Sequence, residues 1–178
     1  MIDWKWFRWY EASNLPDFGE MVISWDTAMK ATELSDFSVG TVWGVWGDFY
    51  YLLDLIRARL DYPALRRKVV EVHFQYPRGT ILIEDAGSGT SLISDLREQN
   101  IRAIPIKPLG DKIVRMATQA AKIEETRVCL PLHAKWIEDL RTELLAFPHG
   151  AHDDQVDSIS QALYWISRPR SRVCGIGV

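Results

Sequence analysis

Cysteine is scarce in this chain, and so is any excess of positive charge. Only Cys129 and Cys174 occur among 178 residues, without the spacing of a zinc site or the numbers for a disulfide framework. Lysine and arginine total 21 against 24 aspartates and glutamates, a net charge of −3, which argues against a protein that holds nucleic acid by charge alone. It does not argue against a nuclease, whose clustered carboxylates pull the total negative. No apolar run reaches the length of a membrane span, and the opening residues lack a signal-peptide pattern. No membrane partner is therefore expected, and a reducing cytoplasm is the expected home. A P-loop is missing too: "EDAGSGTS" (84–91) has the glycines but not the lysine.

What remains is the composition of an ordinary globular domain, 47% hydrophobic and 25% charged, long enough for one substantial core. Aromatic residues crowd into "WKWFRWY" (4–10), with Trp4 and Trp6 alternating as on a strand. Two readings stand for this segment, a docking surface and a strand that covers the core. Further on, "MVISW" (21–25) is a short buried strand, and "FSVGTVWGVW" (37–46) and "FYYLLDLIRARL" (49–60) are strands joined by the turn Gly47-Asp48.

The pattern then changes to alternating helices and strands. Residues 62–76 place Leu65, Val69, Val72 and Phe74 near helical spacing, with Pro63 suited to a first turn. A strand over 80–84, a helix over 89–100, a strand over 101–107 and a helix over 111–125 follow. The apolar stripe of that last helix is Ile113, Met116, Ala117, Ala120 and Ile123. Residues 127–131 are extended, 134–147 amphipathic, and a final helix runs from about 153 to 166. Three meandering strands followed by alternating helix and strand predict an α/β fold, a mixed sheet with helices on both faces. This order is that of the ribonuclease H-like fold.

Acids stand where these elements end. Asp26 closes the first of these strands, Glu84 the fourth, and "HGAHDDQVDSI" (149–159) places Asp153, Asp154 and Asp157 at the start of the last helix. Helix N-termini favour carboxylates, so capping accounts for one or two of these aspartates. Asp157, one turn into the helix, is left over. With the first and fourth strands as neighbours, Asp26 and Glu84 lie side by side and the last helix lays its start against them. Three or four convergent carboxylates cannot all stay ionised in a cleft without a cation. Such oxygen donors suit Mg²⁺ or Mn²⁺ rather than zinc, and a pair of ions about 4 Å apart is suited to phosphodiester hydrolysis.

The pieces "SWDTAMKATELSDFSVGTVWG", "ILIEDAGSGTSLISDL", "KPLGDKIVRM" and "HDDQVDSISQAL" resemble the nuclease domain of the large terminase subunit of tailed bacteriophages. The resemblance spans residues 21 to 166 in the family's order. It implies a metal-dependent endonuclease that cuts double-stranded viral DNA concatemers during genome packaging, in the cytoplasm of the infected bacterial host. It also implies Asp26, Glu84 and Asp154 as catalytic metal ligands, with Asp153 assisting and two Mg²⁺ or Mn²⁺ ions as cofactors. A helical wheel places Asp153 nearer the apolar stripe, so the choice within that pair stays open. Asp85 is a reserve candidate, and Asp36, Asp157 and His152 are possible outer groups, whereas His149 reads as a loop residue. Lys112 and Arg115, three apart on one helix, are the choice for DNA phosphates. Partners implied are DNA, the terminase ATPase domain, the small terminase subunit and the portal. On this reading residues 1–20 lie where the interdomain connection would fall, 21–167 form the nuclease domain, and 168–178 are a basic tail. Two rivals remain: a resolvase- or transposase-like nuclease of the same fold, and a docking module without activity.

Overall fold

In the computed structural model, which describes residues 2–28, 37–107 and 110–168, the chain starts with a turn rather than a strand. The Asp3 carboxylate accepts from the Lys5 amide at 2.9 Å and winds Trp4–Trp6 into a 3-10 turn. An aspartate that captures a nearby backbone N–H diverts the chain from extended structure, so Trp4 and Trp6 do not alternate on a strand as expected. The aromatic segment enters the sheet just after, as strand β1 (Arg8–Tyr10).

Three long strands follow, β2 (Glu20–Asp26), β3 (Ser38–Trp46) and β4 (Phe49–Ala58). They meander antiparallel, with Gly47 at φ +57° in the β3–β4 turn, a conformation only glycine adopts cheaply. Then come α1 (Tyr62–Gln75), β5 (Gly79–Glu84), α2 (Ser88–Glu98), β6 (Ala103–Ile106), α3 (Lys112–Glu124), β7 (Val128–Pro131), α4 (Ile137–Ala146) and α5 (Asp154–Ile166). The strands form one seven-stranded sheet in the order β1-β7-β4-β3-β2-β5-β6.

Alternation along the strands sorts the core into two layers. Ile23, Trp25, Ile81 and Ile83 pack against Leu65 and Val69 of α1 and Leu92 and Leu96 of α2. Val22 and Leu82 point the other way, into a layer with Met116 and Ile123 of α3, Leu140 and Leu144 of α4, and Val156, Ile159 and Leu163 of α5. Two details depart from the periodicity reading. Phe74 is 71% exposed, because it lies about 200° around the helix from Val72. Helix α3 buries Met116, Gln119 and Ile123. Ile113 and Ala117 stay exposed, because the helix turns Lys112 and Arg115 towards α5.

Two features set the position of the site. Trp25 of β2 pairs with Ile83 of β5 in parallel register, so the next residues, Asp26 and Glu84, come side by side at neighbouring strand ends. Both continue the side-chain row of Val22 and Leu82 and therefore project towards α5. The first turn of α2 also comes so close that a Cβ at Gly89 would collide with the Glu84 carbonyl oxygen. Cys129 is buried in β7, where burial pushes its thiol up to about 11, a poor setting for a reactive thiolate. Among the described residues, no helix is long and apolar enough to cross a membrane.

Candidate functional site

Helix α5 is fastened to the sheet through hydroxyl groups. The Ser24 Oγ donates to the Ser158 carbonyl at 2.9 Å, and the Ser158 Oγ donates back to the Ser24 carbonyl at 3.0 Å. With its proton committed, Ser158 Oγ accepts from Thr41 Oγ1 at 2.9 Å, and Thr41 in turn accepts from the Trp43 indole at 2.9 Å. Gln161 adds bonds to Ser24 Oγ and the Trp25 carbonyl, at 2.9 and 3.2 Å. Each of these hydroxyls is fully buried and has both a donor and an acceptor role filled. This seam fixes where α5 lies along β2 and β3, and therefore where its acids stand.

The helix start is capped from outside. Asp153 occupies the N-cap position but makes no capping bond with its side chain. Glu143 of α4, buried, does this instead: its Oε1 accepts from the Gln155 and Val156 amides at 2.7 and 3.2 Å, and its Oε2 from the Gln155 side chain at 2.6 Å. Arg57 Nε lies 3.8 Å from the same carboxylate. Sequence reasoning missed Glu143. Its signal is an acid on the inward stripe of Leu140, Leu144 and Phe147. With the cap supplied by α4, the α5 aspartates are free to face the strand ends.

Asp26, Glu84, Asp153, Asp154 and Asp157 form one electrostatic cluster. Burial, then Glu84, Asp157, Asp154 and Asp153 in that order, push the Asp26 carboxyl well above its usual range. Glu84 is raised by burial and by Asp157, against a lowering from Arg115. Asp157 is raised by burial, against Arg115. Asp154 is raised by burial and by Glu143 and Asp153, with Arg57 and His152 acting to lower it. The cluster thus has two sides. Asp157 faces Asp26 and Glu84, and Asp154 faces Glu143, Arg57 and His152, whose Nδ1 lies 4.0 Å from Asp154 Oδ2. Among the α5 aspartates, Asp157 is the one whose charge acts on both Asp26 and Glu84.

Besides Arg57 beside Asp154, two cations of α3 pair directly with acids of the cluster. Lys112 Nζ donates to Asp153, and Arg115 Nη2 donates to Asp157 at 2.9 Å while its Nη1 reaches the Gly110 carbonyl at 3.2 Å. Among the described residues, neither Asp26 nor Glu84 accepts a side-chain hydrogen bond or an ion pair. A cleft of about 190 Å³ opens beside Glu84 and Asp157, walled by Ile106, Val114 and Tyr164. Asp85 turns away: its carboxylate accepts from Thr90 Oγ1 at 2.8 Å. His149 is exposed on the loop before α5, and Asp36 lies outside the described residues.

The donors are all carboxylate oxygens, which fit a hard divalent cation. Among the described residues, no three histidine, cysteine or acidic side chains already stand around one point at coordinating range.

A mixed sheet with acid-ended neighbouring strands and an acid-started helix across them defines a ribonuclease H-like domain. Residues 23–164 match the family model described as the terminase RNaseH-like domain, and the chain belongs to that family. Among solved structures it is similar to the large terminase nuclease of thermophilic phage G20c with bound zinc, at 19% identity, TM-score 0.64, over 87% of this chain and 84% of that one. It is also similar to the human cytomegalovirus terminase nuclease domain soaked with manganese, at 12% identity, TM-score 0.66, over 92% and 94%. A large terminase from another thermophilic bacteriophage, in complex with ADP, matches at 12% identity and TM-score 0.67, over 89% of this chain and 42% of that one. The chain thus spans less than half the length of that terminase. No curated protein matches by sequence.

Two outcomes follow from the geometry. Replacing Glu143 with alanine orphans two buried amides and should cost about 2–4 kcal/mol in urea unfolding. Glu143→Gln should cost less than the alanine change, because the amide oxygen still accepts from both backbone amides, while its NH₂ in place of Oε2 requires the Gln155 amide to turn over and present its oxygen. Equal losses for the two variants contradict the capping role. The second outcome concerns pH. Asp26 binds its proton more tightly folded than unfolded, so its stabilising contribution is complete below about pH 4 and is lost as pH rises through the higher native value. In chelator, the melting temperature of the wild type should fall as pH rises from about 5 to about 8. Asp26→Asn should flatten that fall and melt higher at neutral pH. An unchanged slope contradicts the crowding of charge at Asp26.

Proposed function

We propose that this chain is a metal-dependent endonuclease domain that cuts double-stranded DNA, acting on viral concatemers during genome packaging. The observation that carries the reading is Asp26: a carboxylate on a rigid strand end, pressed by four other acids and met by no cation among the described residues. A structural ion-pair network would neutralise its deepest member. This one leaves its deepest member bare.

Asp26 and Glu84 are assigned as oxygen donors from the sheet, and Asp154, assisted by Asp153, as donors from α5. Asp157 is placed to join them from one turn further on. Two bound divalent ions, Mg²⁺ or Mn²⁺, would supply an activated water and stabilise the leaving oxygen of a phosphodiester. The protein's share is to hold these donors on rigid elements, to tolerate their repulsion through the α5 seam, and to orient Asp154 with the neighbouring His152. Lys112 and Arg115 stand beside the acids and are assigned to substrate phosphates on the α3 side. The G20c nuclease with bound metal and the manganese-soaked cytomegalovirus nuclease domain share this fold and support the metal reading. DNA, the ATPase domain, the small terminase subunit and the portal are the proposed partners, and the infected bacterial cytoplasm the proposed place of action.

The test is incubation of the purified chain with supercoiled plasmid in Mn²⁺, Mg²⁺, Ca²⁺ or chelator. Nicking in Mn²⁺ or Mg²⁺ is expected, falling by orders of magnitude in Asp26→Asn, Glu84→Gln and Asp154→Asn with the fold intact. Near-normal nicking by Asp26→Asn contradicts the assignment, and a marked preference for branched over linear duplex favours a resolvase-like activity. Binding of packaging proteins without nicking in any metal favours the docking module.

A further inference from the structure

Helix α5 lies over β2 and β3, so the strands on either side of that pair, β5 and β4, mark two flanks of the acid cluster. On the β5 flank stand Lys112 and Arg115, each already held by an aspartate. The β4 flank is different. Arg57, and Arg59 just past the end of β4, follow Leu55 on the face that carries α5, and both guanidinium groups lie over the ring of Phe37, at 3.6 and 4.4 Å from its centroid. The His152 ring meets the same Phe37 edge-on, with centroids 5.4 Å apart and planes at 90°. Since His152 Nδ1 is 4.0 Å from Asp154 Oδ2, a continuous line of groups runs from the acids through His152 and Phe37 to Arg59.

The two arginines are not equivalent. Arg57 is only 20% exposed in its side chain and leans on Glu143 at 3.8 Å, a bracing role within the α5 cap. Arg59 is exposed and, among the described residues, pairs with no carboxylate. A guanidinium stacked on an aromatic ring is held in place while its N–H edge stays free for a phosphate. An exposed long cation usually loses side-chain entropy when it binds. Phe37 reduces that loss in advance.

We propose that Arg59, presented on Phe37 and braced beside Arg57, is a contact for a DNA backbone phosphate, on the opposite flank of the acid cluster from Lys112 and Arg115. The duplex is then held from both sides of α5, with the scissile phosphate over the acids between them. This rests on the nuclease reading above, but its test reads binding rather than cleavage.

The experiment measures fluorescence anisotropy of a labelled 30-base-pair duplex (a length of about three helical turns) against the full chain in Ca²⁺ across a salt series. Arg59→Ala should weaken binding roughly fivefold to tenfold near about 0.1 M salt and lower the slope of log affinity against log salt by about one, for any duplex sequence. Arg59→Lys should keep the slope, because the charge remains. Arg67→Ala, on exposed α1 surface on the other face of the sheet, should leave both quantities unchanged. An Arg59→Ala variant with wild-type affinity and slope overturns the proposal, even if plasmid nicking is intact. Loss of the slope in a protein that never nicks would retain this contact and overturn the nuclease reading instead.

Discussion

Like charges must be held together against their repulsion, and the seam between Ser24 and Ser158 is the interaction that does this. Two reciprocal hydroxyl-to-carbonyl bonds join the helix that starts with acids to the strand that ends with one. Such bonds are directional, and in a buried seam with every polar atom satisfied they set register more sharply than apolar contact does. Apolar packing from Val156, Ile159 and Leu163 supplies the bulk attraction of α5 for the sheet. The hydroxyls decide the height at which it docks. A helix slid by one turn would carry Asp154 and Asp157 about 5.4 Å along its axis, away from Asp26 and Glu84.

Around that seam the charges divide by function. Glu143 spends its carboxylate on the helix start, Arg57 steadies Glu143, and Lys112 and Arg115 engage Asp153 and Asp157. Among the described residues, Asp26 is left with neither cation nor donor, and Glu84 feels Arg115 only at a distance, without a hydrogen bond or ion pair. Acids that serve only structure tend to find such partners, as Glu143 does. That contrast, within a few turns of chain, is what supports the proposed role of Asp26.

Part of this was legible in the residues. A short apolar run that stops at an acid places a carboxylate at a strand end, so Asp26 and Glu84 could be named from local pattern, and the sequence of strands and helices pointed to the right fold. The partners of α5 could not be named in this way. Ser24, Thr41 and Ser158 interrupt apolar positions without any periodic mark, and their bonds cross 117 to 134 residues of chain. The cap on α5 comes from another helix, so the aspartates there could not be sorted into caps and ligands by inspecting their own segment. Asp157 gains its place from the docking height, and Trp4 and Trp6 lost theirs to a single hydrogen bond from the Lys5 amide to Asp3. Long-range hydroxyl bonds and local side-chain captures leave little trace in hydrophobic pattern, and these account for the differences.

The most direct measurement is an anomalous difference map from a crystal of the protein soaked in Mn²⁺. The account predicts a peak at coordinating distance from Asp26 and Glu84 and from at least one aspartate in the first turn of α5. Ordered manganese found only elsewhere, with none at the Asp26 and Glu84 carboxylates, would contradict it.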